Sequence, residues 1–241
     1  MSNEKMDTSP PSYDSHFTLE TSMHRQLKDK RIILASGSPR RKQLFEQMGF
    51  PNVETCVSGF PEDLNKSMYI TPWEYAADTS VQKAIAVYEK LAAEEDSPDI
   101  VVSADTILIL DSEIMEKPND PKHHLAMLKK LRNSKTPHKV FTAVSVIVPM
   151  EVPIHPGYVM KTHLEETQVK FDPSITDEFL EAYVRCGEGS DKAGGYAIQG
   201  HGALLIESII GDFSNVVGLP IRATFKLMEE ALEQGDADNY D

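Results

Sequence analysis

Short apolar runs alternate with longer amphipathic stretches along most of the chain. Residues 31–35 are a short apolar run that predicts a buried strand, and a turn leads from it into a predicted helix over residues 39–48, which Gly49 can end. The same pattern predicts further strands at 100–102, 106–110, 140–148 and 163–171. It also predicts four further helices: one at 72–94, one that begins at 121, one that ends near 186 and one that begins after 220. Strands and helices that alternate in this way predict an α/β fold.

Both ends of the chain differ in composition from the middle. Residues 1–28 are polar and contain two adjacent prolines, which predicts a disordered extension. From Glu229 to Asp241 there are six acids and no Lys or Arg, a composition typical of a solvated tail. We therefore expect an N-terminal extension at 1–28, one domain over 29–230 and an acidic tail at 231–241.

Net charge and cysteine content narrow the classes of function. The 241 residues hold 24 Lys+Arg and 38 Asp+Glu, a difference of −14, whereas nucleic acids and anionic membranes require clustered basic residues. The two cysteines, Cys56 and Cys186, are far apart in sequence, which argues against a disulfide framework or a cysteine zinc site. The first residues resemble neither a signal nor a transit peptide, and no apolar run approaches the ~18 residues of a membrane span. We expect a soluble, cytoplasmic protein.

One basic segment contrasts with this acidic background. Residues 31–45 contain four Lys and Arg and no acid, and Arg40 and Arg41 fall in the first turn of a predicted helix. Cations there oppose the helix dipole, but they suit a bound anion, because Arg can hold a phosphate through two parallel hydrogen bonds. The segment has neither a Walker A loop nor a dinucleotide-binding glycine pattern, so a solvated helix face remains the alternative.

A single acid interrupts the most apolar part of the chain. Asp105 lies in the middle of residues 100–110. A buried carboxylate is unfavourable unless it is paired, hydrogen-bonded or bound to a metal. Asp105 therefore either caps a turn between two strands or serves as a general base or metal ligand.

Two lysines and two histidines are ambiguous when taken singly. Lys117 precedes a turn held by proline, and Lys83 lies on the predicted helix 72–94; each is compatible with a plain surface position. His123 and His124 have no other metal-ligand types beside them, which predicts surface residues rather than a metal site.

Glycines are concentrated in one late segment. Eight of the 13 glycines fall between Gly187 and Gly218. Among them lie Asp191-Lys192 and Gln199, so the segment fits either a loop that closes on a ligand or a plain glycine-rich connection.

Five short segments follow one another in a recognisable order over residues 31–228. They are LASGSPRR (34–41), ADT (104–106), EKP (116–118), DKAGGY (191–196) and GDFSNVVGLP (211–220). Together they resemble the Maf family of nucleoside triphosphate pyrophosphatases, and they are also similar to the Maf-like half of the animal acetylserotonin methyltransferase-like protein.

The resemblance implies a fold and a reaction. The fold is the Maf/inosine triphosphatase-like one, a long, twisted mixed sheet with helices that form two lobes around a cleft. The reaction is hydrolysis between the α and β phosphates of a nucleoside triphosphate, giving monophosphate and pyrophosphate, with a divalent metal cation (Mg²⁺ or Mn²⁺). The expected partner is the nucleotide; a homodimer is implied by the family alone, and neither a nucleic-acid polymer nor a membrane is expected.

The resemblance also implies residue roles. Asp105 matches the proton acceptor that activates water, and Lys83 and Lys117 match phosphate-contacting cations of the catalytic set. Glu62 matches an acid of that set and, with Asp105, is an implied metal ligand. The implied substrate-binding residues are Ser36, Arg40, Arg41, Thr106, Asp191, Lys192 and Gln199.

Three of these positions bear on substrate choice. Arg40, Thr106 and Gln199 are similar to the branch of the family that acts on dTTP and UTP. A glutamine amide has a donor and an acceptor, which suits O4 and N3–H of a uracil or thymine edge. We therefore predict hydrolysis of dTTP, UTP and modified pyrimidine nucleotides. The alternatives are a 7-methyl-GTP pyrophosphatase and a catalytically weak, nucleotide-binding regulator of cell division.

Overall fold

Seven strands and seven α-helices make up the regular part of the residues that the computed structural model describes, which are 19–61, 64–150 and 156–238. The strands are β1 Ile32–Leu34, β2 Glu54–Thr55, β3 Ile100–Leu110, β4 Glu113–Ile114, β5 His138–Pro149, β6 Tyr158–Phe171 and β7 Ile206–Ile210. The helices are α1 Ser22–Gln26, α2 Pro39–Gln47, α3 Pro72–Leu91, α4 Pro121–Asn133, α5 Asp177–Cys186, α6 Phe213–Val217 and α7 Ile221–Asp238. Short 3₁₀ helices occupy Lys66–Met68, Ala193–Gly195 and His201–Leu205.

All seven strands belong to one open, mixed sheet, which confirms the predicted α/β class. The strand order is β2-β1-β3-β5-β6-β7, with β4 paired to β3 off this path. Strand β1 runs parallel to β2 and β3, whereas the pairs β3–β5, β5–β6 and β6–β7 are antiparallel. The long β3 is therefore central, with β5 on one edge and two short strands on the other.

The second edge of β3 has a gap in its pairing. Strand β1 pairs with residues 100–102 at one end of β3, and β4 pairs with residues 109–110 at the other. Between them, residues 103–107 have no strand partner on this edge among the described residues, because β1 ends at Leu34 and the chain turns away into α2. The sheet is thus open at mid-length, beside the turn that precedes the two arginines.

Helices cover both faces of the sheet. Val102, Ala104 and Leu108 of β3 lie in the larger core, which also contains residues of α2, α4 and α7. Val101 and Ile107 point to the opposite face, where α3 packs. Successive side chains of a strand alternate between faces, so Asp105 faces α3 and Thr106 faces the larger core.

Strand β3 differs from the prediction. We expected two strands, at 100–102 and 106–110, with a turn cap as one of two interpretations of Asp105, but residues 100–110 form one continuous strand. The reason is a compensating charge on α3, described below, which lets a carboxylate remain inside a strand.

The two chain ends also differ from the prediction. Thr21 caps the one-turn helix α1, and Met23 and Leu27 are buried in the main core, so the part of the expected extension that is described is packed. At the other end α7 continues to Asp238 through much of the segment expected to be a solvated tail. Residues 1–18 and 239–241 lie outside the described residues.

The ends of two helices follow local sequence signals. Asp120 accepts hydrogen bonds from the first-turn amides of Lys122 and His123, as a residue before a first-turn proline should. Gly187 ends α5 in the left-handed conformation.

His124, predicted to be exposed, is instead buried, and its ring is hydrogen-bonded to the Gly195 carbonyl oxygen at 2.6 Å. Across the described part of the chain, no helix is both long and apolar enough to cross a membrane.

Candidate active site

A cleft of about 400 Å³ opens at the gap in the edge of β3. It is lined by nine of the eleven residues assigned to the site from sequence, namely Arg40, Arg41, Lys83, Asp105, Thr106, Lys117, Asp191, Lys192 and Gln199. Ser36 lies behind the wall, where its hydroxyl accepts a hydrogen bond from Arg41 at 3.2 Å. Glu62 lies outside the described residues.

The acid of the cleft is paired with a lysine. Asp105 is 8% exposed and Lys83 is 7% exposed, and the Lys83 ammonium donates to Asp105 Oδ1 at 2.8 Å. Of the two sequence interpretations of Asp105, the turn cap is wrong. The ion pair compensates the buried charge and fixes the direction of the carboxylate.

The register of α3 on the sheet sets this ion pair. Ser80 lies one helical turn before Lys83, and Ser103 lies two strand positions before Asp105, so each pair shares a face. The hydroxyls of Ser80 and Ser103 are 2.9 Å apart, and the Ser103 hydroxyl donates to the Ser80 carbonyl oxygen at 2.6 Å. Ser145 of β5 joins this buried cluster at 3.0 Å from Ser80. Helix and strand therefore meet in only one alignment.

The start of α2 brings two arginines to the opposite wall. Pro39 begins the helix, and the Ser38 side chain does not cap it. Arg41 donates from Nε to the Gly218 carbonyl oxygen at 2.8 Å, which ties α2 to the end of α6. Arg40 lies near Asp191: a hydrogen bond from Lys192 chiefly lowers the pKa of the Asp191 carboxyl, and the charge of Arg40 lowers it further.

The glycine-rich segment forms the third wall, and one carboxylate organises it. Glu188 accepts hydrogen bonds from the Tyr183 hydroxyl at 2.8 Å and from the amides of His201 and Gly202 at 2.9 Å each. Burial raises the pKa of Glu188, but the bonds from Gly202, His201 and Tyr183 together outweigh it, so the pKa lies below its usual value. A charged, fully bonded Glu188 thus closes the loop that presents Asp191, Lys192 and Gln199.

A backbone contact joins this loop to the segment that carries Lys117. The Gly194 amide is shared between the carbonyl oxygens of Met115 and Glu116, at 3.1 and 3.2 Å. Lys117 therefore reaches the same cleft as Lys192, although 75 positions separate them in sequence (192 − 117).

A second cavity lies beside the cleft. Its volume is about 580 Å³, and Gln199 lines both cavities. Phe213, Ser214 and Arg222 lie on its walls, and Phe213 is half exposed. Gln199 thus stands at the boundary between a charged cleft and a less charged cavity.

The carboxylates of the cleft suit a metal ion that is bound jointly by the protein and a substrate. Within the described ranges, no group of three or more His, Cys, Asp or Glu is placed to bind a metal ion by itself. Asp105 and Asp191 line the cleft. Mg²⁺ commonly binds one or two carboxylates together with phosphate oxygens, which is the donor set that a nucleotide would complete here.

Sequence reasoning missed several residues near the cleft. Thr142 and Asn215 are fully buried and connect to its wall through hydrogen bonds. The sequence around Thr142 does not indicate a role in the site, because its partner on β3 is known only from the strand register. Asn215 lies within a recognised segment, but the sequence assigned it no role. Lys66 forms an ion pair with Glu116, which chiefly raises the pKa of Lys66, and the charge of Asp105 adds to this effect.

Comparison with known proteins gives one consistent result. The family model described as "Maf-like protein" matches residues 31–231. A human protein named "Probable bifunctional dTTP/UTP pyrophosphatase/methyltransferase protein" is 41% identical over 197 residues, which are 81% of this chain and 31% of that protein, so this chain spans about a third of its length.

Shorter relatives are matched over nearly their whole length. A protein named "dTTP/UTP pyrophosphatase" from Thermoanaerobacter sp. (strain X514) is 37% identical over 205 residues, covering 84% of this chain and 97% of that protein. One with the same name from Saccharomyces cerevisiae is 41% identical over 206 residues, covering 81% and 88%.

Proposed function

The chain belongs to the Maf-like protein family, and from that premise we propose that it is a nucleoside triphosphate pyrophosphatase acting on dTTP and UTP. The observation that carries the proposal is the convergence of Asp105 and five cationic side chains on one cleft. Those cations are Arg40, Arg41, Lys83, Lys117 and Lys192. The printed names of the relatives supply the substrate class.

Asp105 is the general base in this proposal. Its carboxylate takes a proton from a water molecule, and the water oxygen forms a bond to the α-phosphorus. The bond from that phosphorus to the bridging oxygen breaks, and the electron pair leaves with the pyrophosphate. The ion pair with Lys83 fixes the direction of the carboxylate. A general base needs a fixed direction, because it must lie within hydrogen-bond reach of the proton that it removes from water.

The remaining cations bind and neutralise the triphosphate. Phosphoryl transfer depends mainly on positioning and on the spread of negative charge over the phosphate oxygens. Arg40 and Arg41 enter from the start of α2, whereas Lys117 and Lys192 enter from the far wall. Groups that approach from opposite sides can hold a linear polyanion without reorganising.

A divalent metal, Mg²⁺ or Mn²⁺, completes the proposed site. Asp105, together with Glu62, is the proposed protein ligand, and the phosphate oxygens of the nucleotide supply other positions. When bound, such a cation neutralises charge on the phosphates and polarises a phosphoryl oxygen.

Gln199 is the proposed reader of the base. Its amide can donate to O4 and accept from N3–H of uracil or thymine, and its place between the two cavities leaves room for a base beyond the charged cleft. Comparable turnover of UTP and 7-methyl-GTP by the purified protein would contradict this preference.

The test of the function is pyrophosphate release from a panel of nucleotides with Mg²⁺ or Mn²⁺, with the monophosphate product identified. Wild type is compared with Asp105→Asn, which we expect to be slower by about 10²–10⁴-fold, the usual contribution of a positioned base. The matched control is Asp111→Asn, the same chemical change at an exposed turn where the backbone has positive φ.

Each alternative has its own outcome in this panel. An Asp105→Asn rate within about twofold of wild type would show that the base is wrongly assigned. No release from any nucleotide would favour the nucleotide-binding regulator, and a strong preference for 7-methyl-GTP would favour the other branch. The homodimer and the cytoplasmic location stay predictions.

A further inference from the structure

Three acceptors among the described residues bind the guanidinium of Arg41. Its Nε donates to the Gly218 carbonyl oxygen at 2.8 Å, one terminal nitrogen donates to Ser36 Oγ at 3.2 Å, and the other donates to Thr106 Oγ1 at 3.1 Å. The acceptors come from the end of α6, the turn after β1 and strand β3. Because the guanidinium is planar and rigid, three such bonds fix both its position and its plane.

The Thr106 acceptor depends on the next strand. Thr106 lies directly opposite Thr142 in the ladder between β3 and β5, and the two hydroxyl oxygens are 2.9 Å apart. A threonine hydroxyl has one hydrogen to donate. If the Thr106 hydroxyl donates that hydrogen to Thr142, the lone pairs of the Thr106 oxygen are left to accept from Arg41.

The direction of this bond is set by Thr142. Its hydroxyl is 3.1 Å from the carbonyl oxygen of Asn215, and a carbonyl oxygen can only accept. With Thr142 donating to Asn215, Thr142 accepts from Thr106. The other acceptor near the Thr106 hydroxyl, the Gly218 carbonyl oxygen, is farther away, at 3.5 Å. The donor order runs from Arg41 to Thr106, then to Thr142 and to the Asn215 carbonyl, without reversal.

Asn215 anchors the end of this series. Its side-chain amide is fully buried and donates to the Val140 carbonyl oxygen at 3.0 Å and to Thr167 Oγ1 at 2.9 Å, which pins α6 to β5 and β6. The Gly218 amide donates to the Asn215 carbonyl oxygen at 3.0 Å. The bonds thus form a ring that returns to Arg41 through Gly218.

We propose that Thr142 is a positioning residue for Arg41: its buried hydroxyl orients Thr106 as an acceptor, so that the guanidinium is held ready for a phosphate oxygen. This inference rests on the proposed function, since it assigns Arg41 to the phosphates of the nucleotide. Thr142 does not line the cleft. It acts only through Thr106 and Arg41.

A double-mutant cycle tests the coupling. Thr142→Val keeps the shape of the side chain and removes the hydroxyl, and we expect about a tenfold loss of kcat/KM with UTP, the value of about one net hydrogen bond. In the background of Arg41→Lys, whose side chain lacks the planar fork, the same change should lower kcat/KM by less than about twofold. Equal losses in both backgrounds would overturn the proposal.

Two single variants complete the design. Thr142→Ser retains the hydroxyl and should stay within about twofold of wild type. Thr224→Val is the matched control, because Thr224 is also fully buried and its hydroxyl has no hydrogen-bond partner among the described residues. A loss in Thr142→Ser as large as that in Thr142→Val would mean that packing, rather than the hydroxyl, is responsible.

A binding measurement separates this inference from the proposed function. If wild type releases no pyrophosphate from any nucleotide, the proposed function fails, and the same cycle is then measured as the Kd for inorganic pyrophosphate with Mg²⁺. Non-additive weakening by Thr142→Val and Arg41→Lys supports the positioning role, and additive or absent weakening overturns it. If Thr142→Val does not fold, Thr142→Cys, whose thiol is a weaker donor, takes its place with the same criteria.

Discussion

Two ionisable side chains in the interior of this protein each have a specific polar partner. Asp105 has Lys83 at 2.8 Å, and His138 has the Tyr196 hydroxyl at 2.8 Å. Burial lowers the pKa of His138 to about 3 and raises the pKa of Tyr196 above its usual value. His138 therefore stays neutral in the folded protein at pH values where a histidine in the unfolded chain is already charged.

Folding stability should fall in mild acid because of His138. Below its ordinary pKa of 6.5 the unfolded chain takes up a proton that the folded protein refuses down to about pH 3, so stability rises with pH within this window. The contribution is at most about 1.4 kcal/mol per pH unit. Urea unfolding of wild type and His138→Gln at pH 7, 6 and 5 measures it.

The variant should show the shallower loss between pH 6 and 5, by about 1 kcal/mol. His123→Gln, the same substitution at a half-buried position of α4, is the control for the chemical change itself. Parallel curves for wild type and His138→Gln would contradict the assignment.

One connection between elements, the segment after α5, shapes the third wall of the cleft. The segment after α5 is held by the Glu188 carboxylate and by the bond between His124 and the Gly195 carbonyl oxygen. Gly195 and Gly187 have nearly the same backbone, with φ of 76° and 77°. They differ in the free space around them: a Cβ on Gly195 would lie 2.7 Å from His124 Cδ2, whereas a Cβ on Gly187 would meet nothing within 4 Å.

This pair of glycines gives a matched prediction. Gly187→Ala should lower the free energy of unfolding by about 1–2 kcal/mol, because a left-handed conformation disfavours any Cβ. Gly195→Ala should lose a further ~1–3 kcal/mol from the clash with His124. It should also raise the KM for UTP, because the same loop carries Lys192.

Urea unfolding and steady-state kinetics on the two variants measure the difference. Equal stability losses, or an unchanged KM in Gly195→Ala, would show that the loop tolerates displacement and that the His124 contact does not shape the cleft.

At the scale of the whole molecule, an acidic protein contains a cationic cleft. The chain carries a net charge of −14. Among the described residues that line it, the cleft has five cations against two acids, Asp105 and Asp191, a local difference of +3 (5 − 2). Charges within about 10 Å dominate at moderate salt, because ions screen the more distant ones. A small polyanion should therefore be attracted by the positive charge of the cleft more than it is repelled by the acidic surface as a whole.

Raising KCl from about 50 to about 300 mM should increase the KM for UTP severalfold, since salt screens the cleft. A decrease would mean that repulsion by the net charge dominates. Lys117→Gln should flatten this dependence, whereas Lys170→Gln, which removes a half-buried lysine paired with Glu207, should leave it unchanged.

The sequence by itself determined the class of fold, most element positions and the charged side chains that line the cleft among the described residues. Periodicity and end signals such as Asp120-Pro121 are local, so helix boundaries were predicted to within a few residues. The family resemblance assigned residues from LASGSPRR to DKAGGY to one site. The predicted extension and tail were wrong where Met23, Leu27 and α7 pack, because burial of such segments depends on distant surfaces.

Only the tertiary structure decided how these residues are held. The lysine that keeps Asp105 inside a strand, the register that sets Thr142 opposite Thr106, and the glutamate that closes the glycine-rich loop all join positions far apart in sequence. Sequence patterns report the preferences of a segment for its own conformation. Which hydroxyl faces which guanidinium depends instead on strand register and helix docking, and these are fixed when the whole core packs.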